Sequence, residues 1–148
     1  TGDISISIDW DMDHPRNDAG DWRLFGSSDS RGGNNELRTY GSLTDNEVEI
    51  RGNGFIQSMY DSSLPAGKHA YAGAYENGRQ VMYIDGAERT NQSQAAALDH
   101  SDTYFNLGRW ESAITAQPMR FSKLMLFDSA ISDEELKLLS IHHRVEGC

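Results

Sequence analysis

Residues 69–90, HAYAGAYENGRQVMYIDGAERT, decide the fold class. Two apolar runs, 69–75 and 80–84, flank Glu76-Asn-Gly-Arg79, and Asp-Gly at 85–86 then leads into a further extended run. Asn-Gly and Asp-Gly tolerate the positive φ angles that tight hairpin turns require. The stretch therefore predicts three antiparallel strands that are joined by two tight turns.

Strand patterns continue on both sides of this segment. Residues 4–12 alternate between apolar and polar side chains, a period of two that is typical of a half-buried strand. Gly52-Asn53-Gly54 separates two further extended runs and predicts another hairpin. Residues 91–102 are polar and rich in alanine, which predicts a connecting loop. The predicted strands cover residues 4–12, 22–26, 36–40, 48–51, 55–60, 69–75, 80–84, 87–90, 104–108 and 120–127.

Only the C-terminal end of the chain predicts a helix. Ser132-Asp-Glu-Glu135 has the pattern of a capping box, and the leucines that follow extend it to a helix over 132–141. Many short antiparallel strands and one short helix predict an all-β sandwich or barrel, and a length of 148 residues predicts a single domain over 1–148. The expected core includes Ile6, Ile8, Trp10, Phe55, Val81, Tyr83, Leu107, Leu124 and Leu126.

The charge balance limits the partners. The chain has 13 basic and 23 acidic side chains, hence a formal net charge of −10, and such an acidic surface repels nucleic-acid phosphates and anionic membranes. No apolar run approaches the roughly 18 residues of a membrane-spanning helix, and no signal-peptide pattern is present. Because the chain begins at Thr1 rather than Met, we expect a processed or excised piece.

Cysteine usage excludes two kinds of stabilisation. Cys148 is the only cysteine and is the last residue, so an intrachain disulfide and CxxC-type zinc sites are both excluded. Cys148 can be free or can pair between chains, and it does not indicate a compartment. Asn91-Gln92-Ser93 is a glycosylation sequon, which matters only if a eukaryotic cell secretes the chain.

Several segments resemble the laminin-G-like domains of the concanavalin A-like lectin/glucanase superfamily. They are Pro65-Ala-Gly-Lys-His69, Val81-Met-Tyr-Ile-Asp85-Gly86, Phe105-Asn-Leu-Gly-Arg109 and the run from Leu124 to Leu136. The resemblance covers nearly the whole chain and implies a two-sheet antiparallel jelly-roll sandwich with one short C-terminal helix. It implies no single function, because this fold carries sugar binders, protein binders, glycosidases and structural modules.

Catalytic chemistry is not indicated by the carboxylates or histidines. Glycoside hydrolysis needs two suitably spaced carboxyl groups, and the Glu-x-Asp-x-x-Glu run of the superfamily's glucanases is absent. Asp9, Asp11 and Asp13 share one face of the first strand, which we interpret as a solvated polar face rather than a catalytic cluster. His69 lies in a strand and is expected to be a packed or rim histidine. We therefore expect a non-enzymatic module.

A ligand site is predicted around Trp110. This residue lies between two strands, where it is either a packing lid or a platform for stacking on a sugar, and Arg109 beside it can donate planar hydrogen bonds. The proposed polar partners are Asp21, Asn34 and Asn35. The oxygen-rich segments 14–21 and 27–36 could alternatively hold calcium or simply form turns, so the metal question stays open. Their candidate calcium ligands are Asp18, Asp21, Asp29, Asn34 and Asn35.

Together these patterns predict a binding module of an extracellular or virion surface assembly. The preferred interpretation is a carbohydrate-recognising domain of the adhesin or phage tail-fibre type, displayed in several copies or as part of a larger assembly. One alternative is a structural capsid-decoration or cementing subunit that binds neighbouring protein subunits only. The other alternative is a glycoside hydrolase.

Overall fold

The computed structural model describes residues 3–12, 25–27, 38–41, 47–52, 55–60, 67–76, 78–93, 105–107 and 119–141. These residues form two five-stranded sheets, in the strand orders β10-β1-β6-β7-β8 and β5-β4-β3-β2-β9. The elements are β1 (Ile4–Met12), β2 (Phe25–Ser27), β3 (Arg38–Gly41), β4 (Glu47–Gly52), β5 (Phe55–Tyr60), β6 (Gly67–Glu76), β7 (Arg79–Ile84), β8 (Ala87–Ser93), β9 (Phe105–Leu107), β10 (Met119–Phe127) and α1 (Asp133–Leu139).

The chain divides into two compact units, each built on one sheet. One unit comprises Gly2–Met12, Gly67–Ala97 and Arg120–Cys148, and it contains the first sheet together with α1. The other comprises Thr1, Asp13–Ala66 and Leu98–Met119, and its sheet is described through its backbone pairing. That the whole of 1–148 folds as one domain stays a prediction.

The two hairpins predicted from residues 69–90 are present. β6 and β7 pair up to Glu76 and Arg79, and Gly78 between them has a φ of 96°. In the next turn Asp85 and Gly86 have φ angles of 53° and 78°. Positive φ at both central residues defines the type I′ turn, whose twist matches that of the strands it joins.

The apolar core of the first sheet matches most of the sequence prediction. Ile6, Ile8, Trp10, Val81 and Tyr83 are all buried. Phe55 and Leu107 lie in the second sheet, outside the residues whose side chains the structure describes.

Most of the polar face of β1 is also buried, so the prediction of a solvated face was wrong for Asp9, whereas the Asp11 side chain is 30% exposed. Ser5 and Ser7 are fully buried and Asp9 is only 5% exposed. The reason lies in the segment that leads into the helix: the Ser5 hydroxyl donates to the Ser129 carbonyl oxygen (2.9 Å) and accepts from the Ile131 N–H (3.0 Å). This segment therefore lies against the polar face of β1. Asp13 is outside the described residues.

The helix packs on the same side of the sheet. Leu136 lies in a cluster with Ala72, Ala74, Val81 and Tyr83, and the capping box at Ser132 and Glu135 is present. The helix covers Asp133–Leu139, slightly less than the predicted 132–141, because Ser132 and Ser140 are its caps. At seven residues, the described helix is too short to cross a membrane.

The burial predicted for β10 was wrong. Leu124 and Leu126 are 40% and 53% exposed, so the face of β10 that holds them is not part of the core. β10 lies at the edge of its sheet and pairs only with β1 among the described strands. The predicted loop over 91–102 was also partly wrong, since β8 continues through Asn91 to Ser93.

Glycine at position 73 permits an unusual side-chain arrangement in β6. A Cβ atom there would lie 2.8 Å from Cζ of Tyr71, so the tyrosine ring passes directly over the glycine. The Tyr71 hydroxyl thereby reaches the Tyr75 hydroxyl at 3.1 Å. Both rings are buried, and burial raises the pKa of both hydroxyls well above the ordinary value for tyrosine.

Candidate functional site

The predicted ligand residues lie outside the described part of the chain, but the strands that flank them are described. This applies to all five: Asp21, Asn34, Asn35, Arg109 and Trp110. Leu107 precedes Arg109 by two residues, and it pairs with Phe25, which follows Asp21 by four residues. The segments that hold Asp21 and the Arg109-Trp110 pair therefore join the same end of the β2–β9 pair.

The segment with Asn34 and Asn35 joins the other end of β2. It connects Ser27 to Arg38, and Arg38 pairs with Gly26. β2 has three residues, so its two ends are about 7 Å apart at the usual rise per residue of a strand. The register thus brings the attachment points of Asp21 and Arg109 together and places that of the two asparagines one short strand away.

A polar cluster at one end of the first sheet is centred on His69. The imidazole Nδ1 lies 2.8 Å from the Asp85 carboxylate, whose other oxygen accepts from the Ala70 N–H at 3.0 Å. The ring is 5.3 Å from the Trp10 ring between centroids, in a tilted arrangement. Because His69 is only 4% exposed, a dissolved substrate has little access to it. The cluster joins β1, β6 and the β7–β8 turn, as expected for a packed histidine.

A second polar cluster is centred on Arg79 and links four elements. Its Nε donates to Oδ1 of Asn91 (3.0 Å), and its Nη atoms contact the carboxylates of Asp133 (2.5 Å) and Glu76 (3.5 Å). The hydrogen bond to Asp133 is the largest cause that raises the pKa of the Arg79 guanidinium. The cluster fastens α1 and the β8 edge to the β6–β7 hairpin.

Sequence reasoning missed the roles of Arg79 and Asp85, which it treated only as turn residues. The available signal was their position, because a charged residue at a hairpin end can reach both neighbouring strands. Sequence alone could not identify Asp133 as the partner of Arg79, since the two are 54 residues apart. Arg79 and Asp85 therefore have structural roles, since each joins its hairpin to a neighbouring element.

Metal ligation is not visible in the described part of the chain. No group of three or more His, Cys, Asp or Glu side chains comes together there in a way that could hold an ion. The candidate calcium segments, 14–21 and 27–36, lie almost entirely outside the described residues.

Comparison with known proteins identifies solved structures of the same fold. No protein-family model and no curated protein sequence matches the chain. The chain is similar to the CBM40 domain of Ruminococcus gnavus IT-sialidase bound to α2,3-sialyllactose, with 15% identity and a TM-score of 0.68 over 94% of this chain and 82% of that domain. A structure of the same domain bound to α2,6-sialyllactose gives 14% identity and a TM-score of 0.66, over 94% of this chain and 83% of that one.

Whole sialidases contain a similar region. Trypanosoma rangeli sialidase has a TM-score of 0.70 at 13% identity, over 97% of this chain and 23% of its own. NanB sialidase from Streptococcus pneumoniae has a TM-score of 0.66 at 19% identity, over 93% of this chain and 24% of its own. The chain therefore spans about a quarter of these two enzymes.

These likenesses confirm the predicted fold class. The CBM40 domains are β-sandwiches, and this chain has the same all-β architecture of two antiparallel sheets with a single short helix in its described part. The laminin-G-like resemblance is consistent with this lectin-like fold.

Proposed function

We propose that this chain is a carbohydrate-binding module that recognises sialylated glycans and has no catalytic activity of its own. The observation that carries the proposal is the likeness to a module bound to sialyllactose, which extends over 94% of this chain and 82% of the module. The two whole sialidases support the same role, because this chain corresponds to only about a quarter of each. The laminin-G-like motifs of the sequence support membership of the concanavalin A-like superfamily.

The residues proposed to contact the sugar are those predicted from the sequence. A sialic acid carries a carboxylate, and the planar guanidinium of Arg109 can donate two parallel hydrogen bonds to such a group. The indole of Trp110 would stack on the apolar face of the sugar ring. Asp21 adjoins the same end of the β2–β9 pair and would accept from hydroxyl groups. Asn34 and Asn35 adjoin the other end of β2 and would contact a second sugar unit.

The proposed setting is an extracellular or virion surface that displays several copies. A shallow site that exchanges water for sugar hydroxyls gains little free energy per contact, so affinity at one site would be modest. Several linked copies raise the effective affinity without any new contact. We propose that glycan binding needs no calcium; if the chain does bind calcium, segments 14–21 and 27–36 would hold the ion.

The test is titration calorimetry of the chain with α2,3-sialyllactose, α2,6-sialyllactose and lactose. Lactose is the matched control, because it lacks only the sialic acid. We expect both sialylated sugars to bind and lactose not to bind. Equal binding of all three would contradict the role of the carboxylate and would leave a general glycan module. Failure of a multivalent sialoglycan and of a broad glycan array to bind would favour the structural decoration subunit.

Substitutions of the proposed contact residues test the location of the site. Arg109→Gln and Trp110→Ala should each weaken sialyllactose binding by about tenfold or more, because each removes a charge-assisted or stacking contact. Lys68→Gln and Leu138→Ala are controls, since both residues are exposed in the unit that holds the first sheet. Thermal unfolding must be unchanged for Trp110→Ala. A large loss of stability in that variant would show that Trp110 is a packing residue.

A further inference from the structure

Strand β8 contains the N-glycosylation sequon of the chain, a motif that the proposed sugar-binding role does not use. Asn91-Gln92-Ser93 has the acceptor pattern Asn-x-Ser/Thr, and no other asparagine in the sequence is followed by Ser or Thr two residues later. An attached glycan is bulky and strongly hydrated, so it is compatible with a folded chain only where the acceptor lies at the surface. The accessibility of Asn91 therefore decides whether the folded module can carry a glycan there.

Both essential positions of the sequon are exposed. Asn91 and Ser93 lie in the extended strand β8, and each is exposed to solvent. Side chains at alternate positions of a strand point to the same face, so the acceptor amide and the serine hydroxyl share one face of β8. Val81, which pairs with Asn91 from the neighbouring strand β7, is by contrast fully buried. The surface next to the apolar cluster under α1 therefore begins at Asn91.

The Asn91 amide is oriented by contacts that a glycan would preserve. Its Oδ1 accepts from Nε of Arg79 at 3.0 Å, and its Nδ2 lies 3.5 Å from Oε2 of Glu88. The second distance is longer than the 2.7–3.2 Å that is usual for an N–H donor. An N-linked asparagine keeps its carbonyl oxygen and one N–H, so it can still accept from Arg79 and face Glu88. Attachment of a glycan therefore leaves the Arg79 cluster intact.

We infer that Asn91 is an N-glycan acceptor when the chain is secreted by a eukaryotic cell, and that the folded module carries the glycan on the exposed face of β8. The donor is an oligosaccharide linked to a lipid through pyrophosphate. A bond forms between Nδ2 of Asn91 and C1 of the first N-acetylglucosamine, while the bond from C1 to the pyrophosphate oxygen breaks. Nδ2 loses one proton, and the lipid pyrophosphate leaves. The inference concerns a sugar attached to β8, so it does not depend on sugar binding at Arg109 and Trp110.

Expression of the full chain in a eukaryotic cell line, behind a cleavable signal peptide, tests the inference. Intact mass is measured before and after treatment with a peptide-N-glycosidase, which releases the glycan and converts the acceptor asparagine to aspartate. We expect a loss of mass equal to an N-glycan, and peptide mapping should locate the conversion at position 91. The cell extract is analysed together with the medium, so that modification is scored whether or not the chain is exported.

Two variants of Ser93 are the matched controls. Ser93→Ala should abolish the modification although Asn91 itself is retained, and Ser93→Thr keeps the acceptor pattern and should retain the glycan. A chain that carries no glycan, or one that is still modified at Asn91 in Ser93→Ala, would overturn the inference.

Thermal unfolding tests whether the folded strand accommodates the glycan. The reference is the same sequence made without glycosylation in bacteria. We expect both forms to unfold cooperatively at similar temperatures, because the bond from Arg79 to Oδ1 of Asn91 is retained in each. A glycosylated chain that shows no cooperative transition, beside a bacterial chain that does, would mean that the fold excludes a glycan at Asn91 and would overturn the inference.

Discussion

β1 and β10 are neighbours in one sheet, yet their environments are opposite. Residues 5–10 of β1 are buried on both faces, including the serines of its polar face, whereas β10 has no buried residue among its described side chains. Both strands are nine residues long. The difference arises from position, since β1 lies between β10 and β6 with the segment before α1 against it, whereas β10 is at the edge.

The comparison shows what an alternating pattern can and cannot establish. Alternation tells which side chains share a face, but it does not tell whether that face is covered. In β1 the alternating pattern predicts that the polar side chains are solvated, yet Ser5 is hydrogen-bonded to the segment that lies against it. In β10 the pattern predicts that Leu124 and Leu126 are core residues, yet both are exposed. The predictions that follow test this difference, starting with the largest expected effect.

Alkaline pH should unfold the chain through the interior strand β6. Tyr71 and Tyr75 are buried, and their pKa values are raised above the ordinary value of 10.0. A group with a raised pKa in the folded state stabilises the fold below its unfolded pKa and loses that contribution as the pH rises. Above pH 10 each tyrosine should therefore remove about 1.4 kcal/mol of stability per pH unit.

Absorbance titration of tyrosinate measures this effect. Tyr71 and Tyr75 should ionise only together with the loss of circular dichroism. Replacing both Tyr71 and Tyr75 by Phe should remove that late step and move unfolding to higher pH. Independent ionisation of all six near pH 10 would mean that these rings are accessible to solvent.

Ile8→Ala should destabilise the fold far more than Leu124→Ala. Ile8 is fully buried in β1, so truncation should cost about 2–5 kcal/mol through lost burial and a residual cavity. Leu124 was expected from the sequence to show a similar loss, but at 40% exposure its truncation should cost about 1 kcal/mol or less. Urea denaturation compares the free energies of unfolding of the two variants. Equal losses would mean that the edge strand is covered as completely as β1.

Ser5→Ala and Ser7→Ala form a matched pair on one face of β1. Ser5 satisfies a carbonyl and an N–H of residues 129–131, so its loss should cost about 1–3 kcal/mol. The hydroxyl of Ser7 is buried without a hydrogen-bond partner among the described residues, so Ser7→Ala should be neutral or stabilising. The free energy of unfolding should therefore be lower for Ser5→Ala than for Ser7→Ala. A similar loss in both variants would contradict the assignment of the bridging role to Ser5.

Much of the fold could be predicted because its signals are local. Asn77-Gly78 and Asp85-Gly86 specify turns through their own backbone preferences, and Ser132 with Glu135 specifies the start of the helix. The burial of the polar face of β1 could not be predicted, since it depends on contacts between Ser5 and residues more than 120 positions away. The exposure of β10 depends on sheet order, which no single strand encodes.

In the candidate site, too, residue types could be predicted from the sequence but long-range contacts could not. Arg109 and Trp110 stand out because of their residue types, but their relation to Asp21 follows from the pairing of Phe25 with Leu107, which joins distant parts of the chain. The five predicted ligand residues stay predictions. The register refines them, because it separates the attachment of Asn34 and Asn35 from that of the other three.

The smallest expected effect concerns the capping box, which is the local feature that the sequence predicts most directly. The Ser132 hydroxyl and the Ser132 backbone N–H donate to the Glu135 carboxylate at 2.7 and 2.9 Å, and these bonds lower the pKa of Glu135 below 4.5. A lowered pKa in the folded state stabilises the helix start above the unfolded pKa and loses that contribution as the pH falls through the folded value. Ser132→Ala removes the hydroxyl bond and keeps the backbone bond, so the pKa of Glu135 should rise part of the way toward its ordinary value. Carboxyl-detected NMR titration measures the rise, and Ser93→Ala, at an exposed serine of β8 outside the capping box, is the matched control. An unchanged pKa in Ser132→Ala would mean that the backbone bond alone holds the carboxylate.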